Sequence, residues 1–257
     1  MQKLWMRVPG TIIITAVLLV FYIGQLAVDD FTEDMVVRGI YVVEEPWRLL
    51  SSGVVHSTET LPSSHLLSNL LMLWYIGLLL EKIVGTVRFI AIFAVGVVAG
   101  SVATVLLTSP IDGALGASGG IFALCTALLM VLRKGANAAF RSLAIVVVIM
   151  FLQGVLMPGV SWEGHLGGAI AGIVLGGAAR FQPYVLERAG MAFHSPETLD
   201  PAVTRNRIAT AGTRRIAEIA IYGIFLTVIV WVCLNYAAGV KWTTASSTEW
   251  STVAQTQ

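Results

Sequence analysis

Four polar residues set within otherwise apolar stretches could carry chemistry. His65 and Asn69 lie four apart, Ser118 sits in Gly116-Ala117-Ser118-Gly119-Gly120, and His165 sits in Gly164-His165-Leu166-Gly167-Gly168. A serine beside an imidazole is the nucleophile and base of acyl transfer, the ring nitrogen taking the hydroxyl proton as the oxygen attacks a carbonyl. The Asn69 amide and the His65 ring can both donate to a developing oxyanion, together with the Ser118 backbone N–H. Their spacing puts His65 and Asn69 on one face of a helix. Gly116, Gly119 and Gly120 let the backbone bend and approach a substrate closely. Within the apolar runs that hold these residues no Asp or Glu lies near the same end except Glu163, just before the last run, so a Ser118/His165 dyad is simpler than a triad.

Each motif alone also has a plainer reading. Small residues are common wherever membrane helices pack tightly, and Gly168 with Gly172 forms a small-xxx-small pair of that kind. A single intramembrane histidine serves equally as a structural hydrogen-bonding group, a proton relay or a metal ligand. A metal held by His56, His65 and His165 stays an alternative, although no carboxylate–histidine spacing supports it. His56, in a loop, and His194, in a polar linker, read as solvated or packed rather than catalytic.

The elements that must position these residues follow from composition. At 56% hydrophobic and 12% charged residues, the chain carries about half the charge of a soluble domain. Seven nearly charge-free runs, 11–28, 65–80, 88–108, 118–132, 141–157, 165–179 and 216–238, predict an all-α membrane protein with seven spanning helices. Of the 16 basic residues, 13 fall on one side if the amino terminus is cytoplasmic; only Arg38, Arg48 and Lys241 fall outside. Helices two, four and six then run from outside to inside, and His65, Asn69, Ser118 and His165 share the outer side. Ser118 lies fifteen residues before Arg133, and His165 fifteen before Arg180. At about 1.5 Å per residue both stand roughly 22 Å above the inner boundary of a core about 30 Å thick. Chance packing does not predict polar residues at one depth on three co-oriented helices.

The remaining segments complete the expectation. The first run, preceded by Lys3 and Arg7, lacks a small-residue cleavage pattern and is read as a retained helix rather than a signal peptide. The acidic stretch of about 29–64 forms a long outer loop, and the polar stretch 181–215 an inner linker to the seventh helix, which leaves an extracytoplasmic tail at 239–257. The stretch 109–117 is expected to be non-helical, as is tolerated at membrane depth beside a water-filled cavity. Cys125 and Cys233 read as packing residues. A net charge of +1, with no basic cluster interleaved with aromatics, excludes nucleic acid as a partner. A transporter using the serine and histidine would call for more buried carboxylates or paired repeats, and none is visible.

With these residues in place the sequence resembles the rhomboid family over roughly residues 10–180. His65-Leu66-Leu67-Ser68-Asn69 is similar to that family's HxxxN on helix two, Gly116-Ala117-Ser118-Gly119 to its GxSG on helix four, and Gly164-His165-Leu166-Gly167-Gly168 to its helix-six histidine segment; Glu45-Pro46-Trp47-Arg48 is similar to the tryptophan–arginine pair of its first loop. The resemblance implies a six-helix rhomboid-like catalytic core within residues 1–180, plus an additional C-terminal transmembrane helix. It implies Ser118 as nucleophile, His165 as base and His65, Asn69 and the Ser118 amide as oxyanion hole, with Gly116, Gly119, Phe122, Trp47 and Arg48 in support. Substrates would be membrane-anchored proteins cut in or near a transmembrane segment, with no cofactor, at a site opening to the outer side of a multi-pass protein of, by preference, a bacterial plasma membrane. Phe122 stands where some relatives place a tyrosine; it can stack on His165 but cannot donate a hydrogen bond. A non-catalytic rhomboid-like binder is the alternative, against which the intact Ser118 and His165 argue.

Overall fold

The long apolar runs all fold as helices. The computed structural model describes residues 8–59, 63–132, 137–157, 159–182, 185, 188–189 and 211–239. Among these the helices are α1 (Pro9–Ala27), α2 (Phe31–Met35), α3 (Arg48–Ser51) leading into a 3-10 turn at Ser52–Val54, α4 (Ser64–Val84), α5 (Thr86–Leu107), α6 (Ser118–Leu132), α7 (Asn137–Leu156), α8 (Trp162–Arg180) and α9 (Ala211–Gly239). No strand occurs among the described residues, only one antiparallel bridge between Val37 and Ala114. α1, α4, α5 and α9 are long and apolar enough to cross a membrane by length and composition; Ser118–Leu132 and Phe140–Leu156 are apolar but shorter. Seven long helices thus occupy the seven expected runs, while four meet the spanning criteria. Most of the inner linker and the tail after Gly239 lie outside the described residues.

Local chemistry sets the helix ends near the polar residues. The Ser63 hydroxyl accepts from the Leu66 amide at 3.1 Å and caps α4; the Ser161 hydroxyl accepts from the Gly164 amide at 3.1 Å and caps α8. Gly85, at φ 84°, makes the turn from α4 into α5, a conformation that favours glycine.

α6 is the centre of the molecule, every residue from Gly119 to Leu128 being buried. It packs backbone to backbone against α8. A Cβ at Gly168 would lie 2.0 Å from the Gly119 carbonyl oxygen, one at Gly172 2.1 Å from that of Ala123, and one at Gly176 2.5 Å from the Ala127 Cα. Residues 119, 123 and 127 therefore face 168, 172 and 176 in constant register, so α6 and α8 run parallel and their first turns lie at the same end. Thr126 Oγ1 donates to the Ala169 carbonyl at 2.9 Å and Arg180 Nη1 to that of Met130 at 3.0 Å, tying the seam along its length. α5 runs antiparallel into the same seam, with Gly100 against the Gly164 carbonyl and Gly96 against Ala123. Cys125 and Cys233 are both buried and free, as packing residues should be. The outward faces of α1, α7 and α9 are apolar, with Val20, Ile23, Leu152, Ile219, Ile224 and Trp231 all exposed, a surface suited to lipid rather than water.

The end of the bundle opposite the first turns of α6 and α8 is built on buried charge. The Glu81 carboxylate, on α4, accepts from the Gly10 amide (2.6 Å), the Thr11 amide (2.9 Å), Thr11 Oγ1 (2.8 Å) and Thr86 Oγ1 (2.8 Å). It thus satisfies donors at the amino terminus of α1, where the helix dipole favours an anion. Glu81→Ala strands these donors, and the folded state is expected to lose about 2–4 kcal/mol, read as a lowered thermal midpoint in detergent. On the same end Arg88 of α5 binds Glu218 of α9 through two hydrogen bonds, at 2.5 and 2.7 Å. Cys233 and Ala237, farther along α9, pack with Val102 and Val105 near the far end of α5. α5 and α9 therefore run in the same direction.

Candidate active site

At the other end of the bundle, the segment from Thr108 to Ala117 is irregular, as expected, and delivers the chain into α6 at Ser118. It is held from the first loop. The Val37 and Ala114 amides and carbonyls exchange bonds at 3.3 and 3.1 Å, the Ile40 amide donates to the Pro110 carbonyl, and the Gly116 amide donates to that of Ser52 at 2.8 Å. Arg48 organises that loop from within. Its guanidinium is buried, reaches Glu45 and the Glu33 carbonyl, donates to the Val36 carbonyl at 3.1 Å and lies 5.0 Å over the Tyr41 ring. Trp47 is 56% exposed on the outside of the loop. Of the tryptophan–arginine pair, only Arg48 acts inside the fold, as a strut for the segment that leads to Ser118.

Gly116, at φ 115°, makes the last turn before α6. A Cβ there would stand 2.8 Å from His65 Cε1 and 2.9 Å from Nε2, so the imidazole lies flush against the backbone two residues before Ser118. His65 Nδ1 accepts a long bond, 3.4 Å, from the Ser57 amide, which leaves Nε2 as the proton-bearing nitrogen facing Gly116. Asn69 is buried one turn below, its Nδ2 donating to the His65 carbonyl at 2.8 Å and keeping a second N–H. Ser118 is half-buried as the first residue of α6, where the backbone N–H groups of the first turn have no intrahelical acceptor and the dipole favours negative charge.

His165 approaches from the first turn of α8. Its ring stacks on Phe122, one turn after Ser118, with centroids 4.2 Å apart and planes 17° apart. Its Nδ1 edge is enclosed by α7, where a Cβ at Gly154 would come within 2.8 Å, and finds no hydrogen-bond partner among the described residues. The Glu163 carboxylate accepts from the Ser161 hydroxyl at 3.1 Å and so belongs to the α8 cap. No hydrogen bond joins Ser118 to His165 among the described residues. His65, Asn69, Ser118, Phe122 and His165 therefore gather at one end of the bundle, with Gly116 and Gly119 at the points of closest backbone approach.

Residues 43–180 match the Rhomboid domain, a span that contains all of these side chains. The chain belongs to the rhomboid family. It is 36% identical over 132 residues to Rhomboid protease GluP of Bacillus subtilis, covering 50% of this chain and 25% of that protein. To RHOMBOID-like protein 4 of Arabidopsis thaliana it is 31% identical over 155 residues, 58% of this chain and 38% of the relative. A protein of Mycobacterium tuberculosis, Rv1337, is 30% identical over 214 residues, 74% of this chain and 84% of its own length. The match to the first two spans well under half of those proteins. Membership and the apolar helices together make this rhomboid an integral membrane protein.

One residue that sequence reasoning set aside lies directly against His65. His56, read as a solvated or packed loop residue, is fully buried, and its ring meets that of His65 edge-on with centroids 5.1 Å apart. Its place in a polar loop hid this, because Gln25 of α1 and Ala117, which both bond to it, are far away in sequence.

Proposed function

We propose that this chain is a rhomboid-type intramembrane serine endopeptidase that cuts membrane-anchored proteins in or near a transmembrane segment. The observation that carries the reading is the joining of two halves of a site: the ring of His165 stacked one turn below Ser118, and the ring of His65 against Gly116 just before it. In the proposed reaction Ser118 Oγ attacks the scissile carbonyl carbon as His165 Nε2 takes its proton. The oxygen of the tetrahedral intermediate is received by the Ser118 amide, Asn69 Nδ2 and His65 Nε2. As the C–N bond breaks, the imidazolium returns the proton to the leaving amine, and a water activated by the same ring then releases the acyl group from Ser118. The Phe122 face fixes the plane of the base, and no carboxylate takes part.

Water must reach this site, and the irregular segment before Ser118 is compatible with an opening there, since non-helical backbone at membrane depth is tolerated where protein encloses it or where it lines a water-filled cavity. Seven crossings, with a cytoplasmic amino terminus and the Ser118 end facing outward, are supported by the distribution of basic residues and by the common direction of α5 and α9. Residues 1–180 would form the catalytic core and the α9 helix its addition.

The test is co-reconstitution in liposomes with a single-span reporter protein. Wild type should release the reporter's outer portion. Asn69→Ala should turn over about 100-fold more slowly at saturation with KM within about threefold, because its amide acts on charge that develops in the transition state. No cleavage of any of several single-span reporters by folded wild type, or an Asn69→Ala defect confined to KM, would count against the assignment.

A further inference from the structure

The peptide that precedes the nucleophile turns on a glycine, so something other than its own conformational preference must fix its orientation. Gly116 at φ 115° is permissive on both sides, and rotation of the Gly116–Ala117 peptide would displace the entry of the chain into α6, whose Ala117–Ser118 peptide is held on its far side by the bond from the Ile121 amide to the Ala117 carbonyl. Two acceptors hold the segment. The Ser52 carbonyl accepts the Gly116 amide at 2.8 Å, and the Nε2 atom of His56 accepts the Ala117 amide at 3.3 Å.

His56 is itself fixed from a third element. Gln25 of α1 clasps its backbone, Oε1 accepting the His56 amide at 2.9 Å and Nε2 donating to the His56 carbonyl at 2.8 Å. An imidazole nitrogen that accepts an N–H must be unprotonated, which places the proton on Nδ1. Nδ1 is buried, and the backbone of Val54 offers the ring's N–H an acceptor. Burial, and then the neighbouring His65, push the ring's pKa down to about 3 against a smaller raising effect of the Val54 backbone, so the acceptor nitrogen stays unprotonated at neutral pH. The same ring buttresses His65 edge-on.

We propose that His56 is a positioning residue for the reaction: its imidazole fixes the Ala117 amide, and with it the entry of the chain into α6 at Ser118, and braces the ring of His65 directly, in the geometry that receives the oxyanion. It touches no reacting atom, and its effect is on the preorganisation of donors that do. This assignment rests on the proteolytic reading of the site for its kinetic consequence, though not for the contact itself.

The experiment compares His56→Phe, which keeps the ring's bulk and its edge contact but removes the acceptor, with His56→Gln, whose carboxamide oxygen can replace Nε2. His56→Met, flexible and lacking a comparable acceptor, replaces the phenylalanine variant if that one does not purify folded. In the liposome assay His56→Phe should lower kcat about 30-fold with KM within about twofold, and His56→Gln should return to within about threefold of wild type. Deuterium exchange of the peptide spanning 112–120, measured on full-length protein in detergent, should be about fivefold faster at Ala117 in His56→Phe and restored in His56→Gln. Equal kinetic losses in the two variants, or a wild-type kcat in His56→Phe, would overturn the role. Unchanged Ala117 exchange in His56→Phe would overturn it even if no variant, wild type included, cleaved a reporter; that last result alone would instead strike at the proteolytic reading.

Discussion

Ser118→Ala is expected to lower reporter cleavage by about 10⁴-fold or more while the thermal midpoint in detergent stays within about 2 °C of wild type. The kinetic half of this follows from the role: without the hydroxyl no acyl-enzyme forms, and only the oxyanion donors and substrate binding remain. The stability half follows from the surroundings. Ser118 is half-buried, its hydroxyl makes no hydrogen bond among the described residues, and the first intrahelical bond of α6 runs from the Ile121 amide to the Ala117 carbonyl, independent of the Ser118 side chain. Removing one oxygen strands no partner and opens little space. A variant that lost activity together with its fold would show instead that Ser118 is structural.

The second large effect is expected at a residue that does no chemistry. A Cβ at Gly168 would lie 2.0 Å from the Gly119 carbonyl oxygen and 3.0 Å from its Cα, both rigid backbone atoms of a helix enclosed on all sides. Nothing at that contact can swing away, so Gly168→Ala must push α8 off α6 by more than about 1 Å. That displacement separates His165, three residues before it, from Ser118, the residue before Gly119. A shift of this size between reacting groups costs about 100-fold in rate, and the lost packing along the seam should lower stability by about 2–4 kcal/mol. Gly177→Ala is the control on the same helix. Its Cβ would meet only Met130 Cε, at 3.8 Å, and alanine is the better helix former by about 1 kcal/mol, so activity should be unchanged and stability equal or higher. Equal behaviour of the two variants, measured by reporter kinetics and thermal midpoint, would contradict the seam as the device that aligns the site.

Most of the fold could be read in the sequence because lipid-facing and core positions are both apolar, which makes the runs conspicuous. The polar residues of the site stood out against that background for the same reason. Counting residues back from Arg133 and Arg180 put Ser118 and His165 at one level, and the constant register of 119, 123 and 127 against 168, 172 and 176 gives the physical basis of that coincidence. What stayed hidden depends on partners distant in sequence. Glu81 reads as a boundary charge beside Lys82, and only the folded chain brings Gly10 and Thr11 to it. Arg88 and Glu218 look like separate surface charges until α9 lies along α5. The count of crossings is blurred because a helix enclosed by protein, as α6 is, need not be long, and a helix packed through glycines, as α8 is, need not be very apolar. His56 shows the opposite failure: a histidine in a polar loop gives no sign of burial when the covering comes from elsewhere.

The most direct measurement of the central claim is labelling of the purified, detergent-solubilised protein by a fluorophosphonate serine probe, with wild type compared to Ser118→Ala and His165→Ala. A serine activated by the neighbouring imidazole should be labelled in wild type and in neither variant, each shown to be folded by its thermal transition. Absence of labelling in folded wild type, or labelling that persists in Ser118→Ala, would contradict the assignment of Ser118 as nucleophile and favour a rhomboid-like protein that binds membrane clients without cutting them.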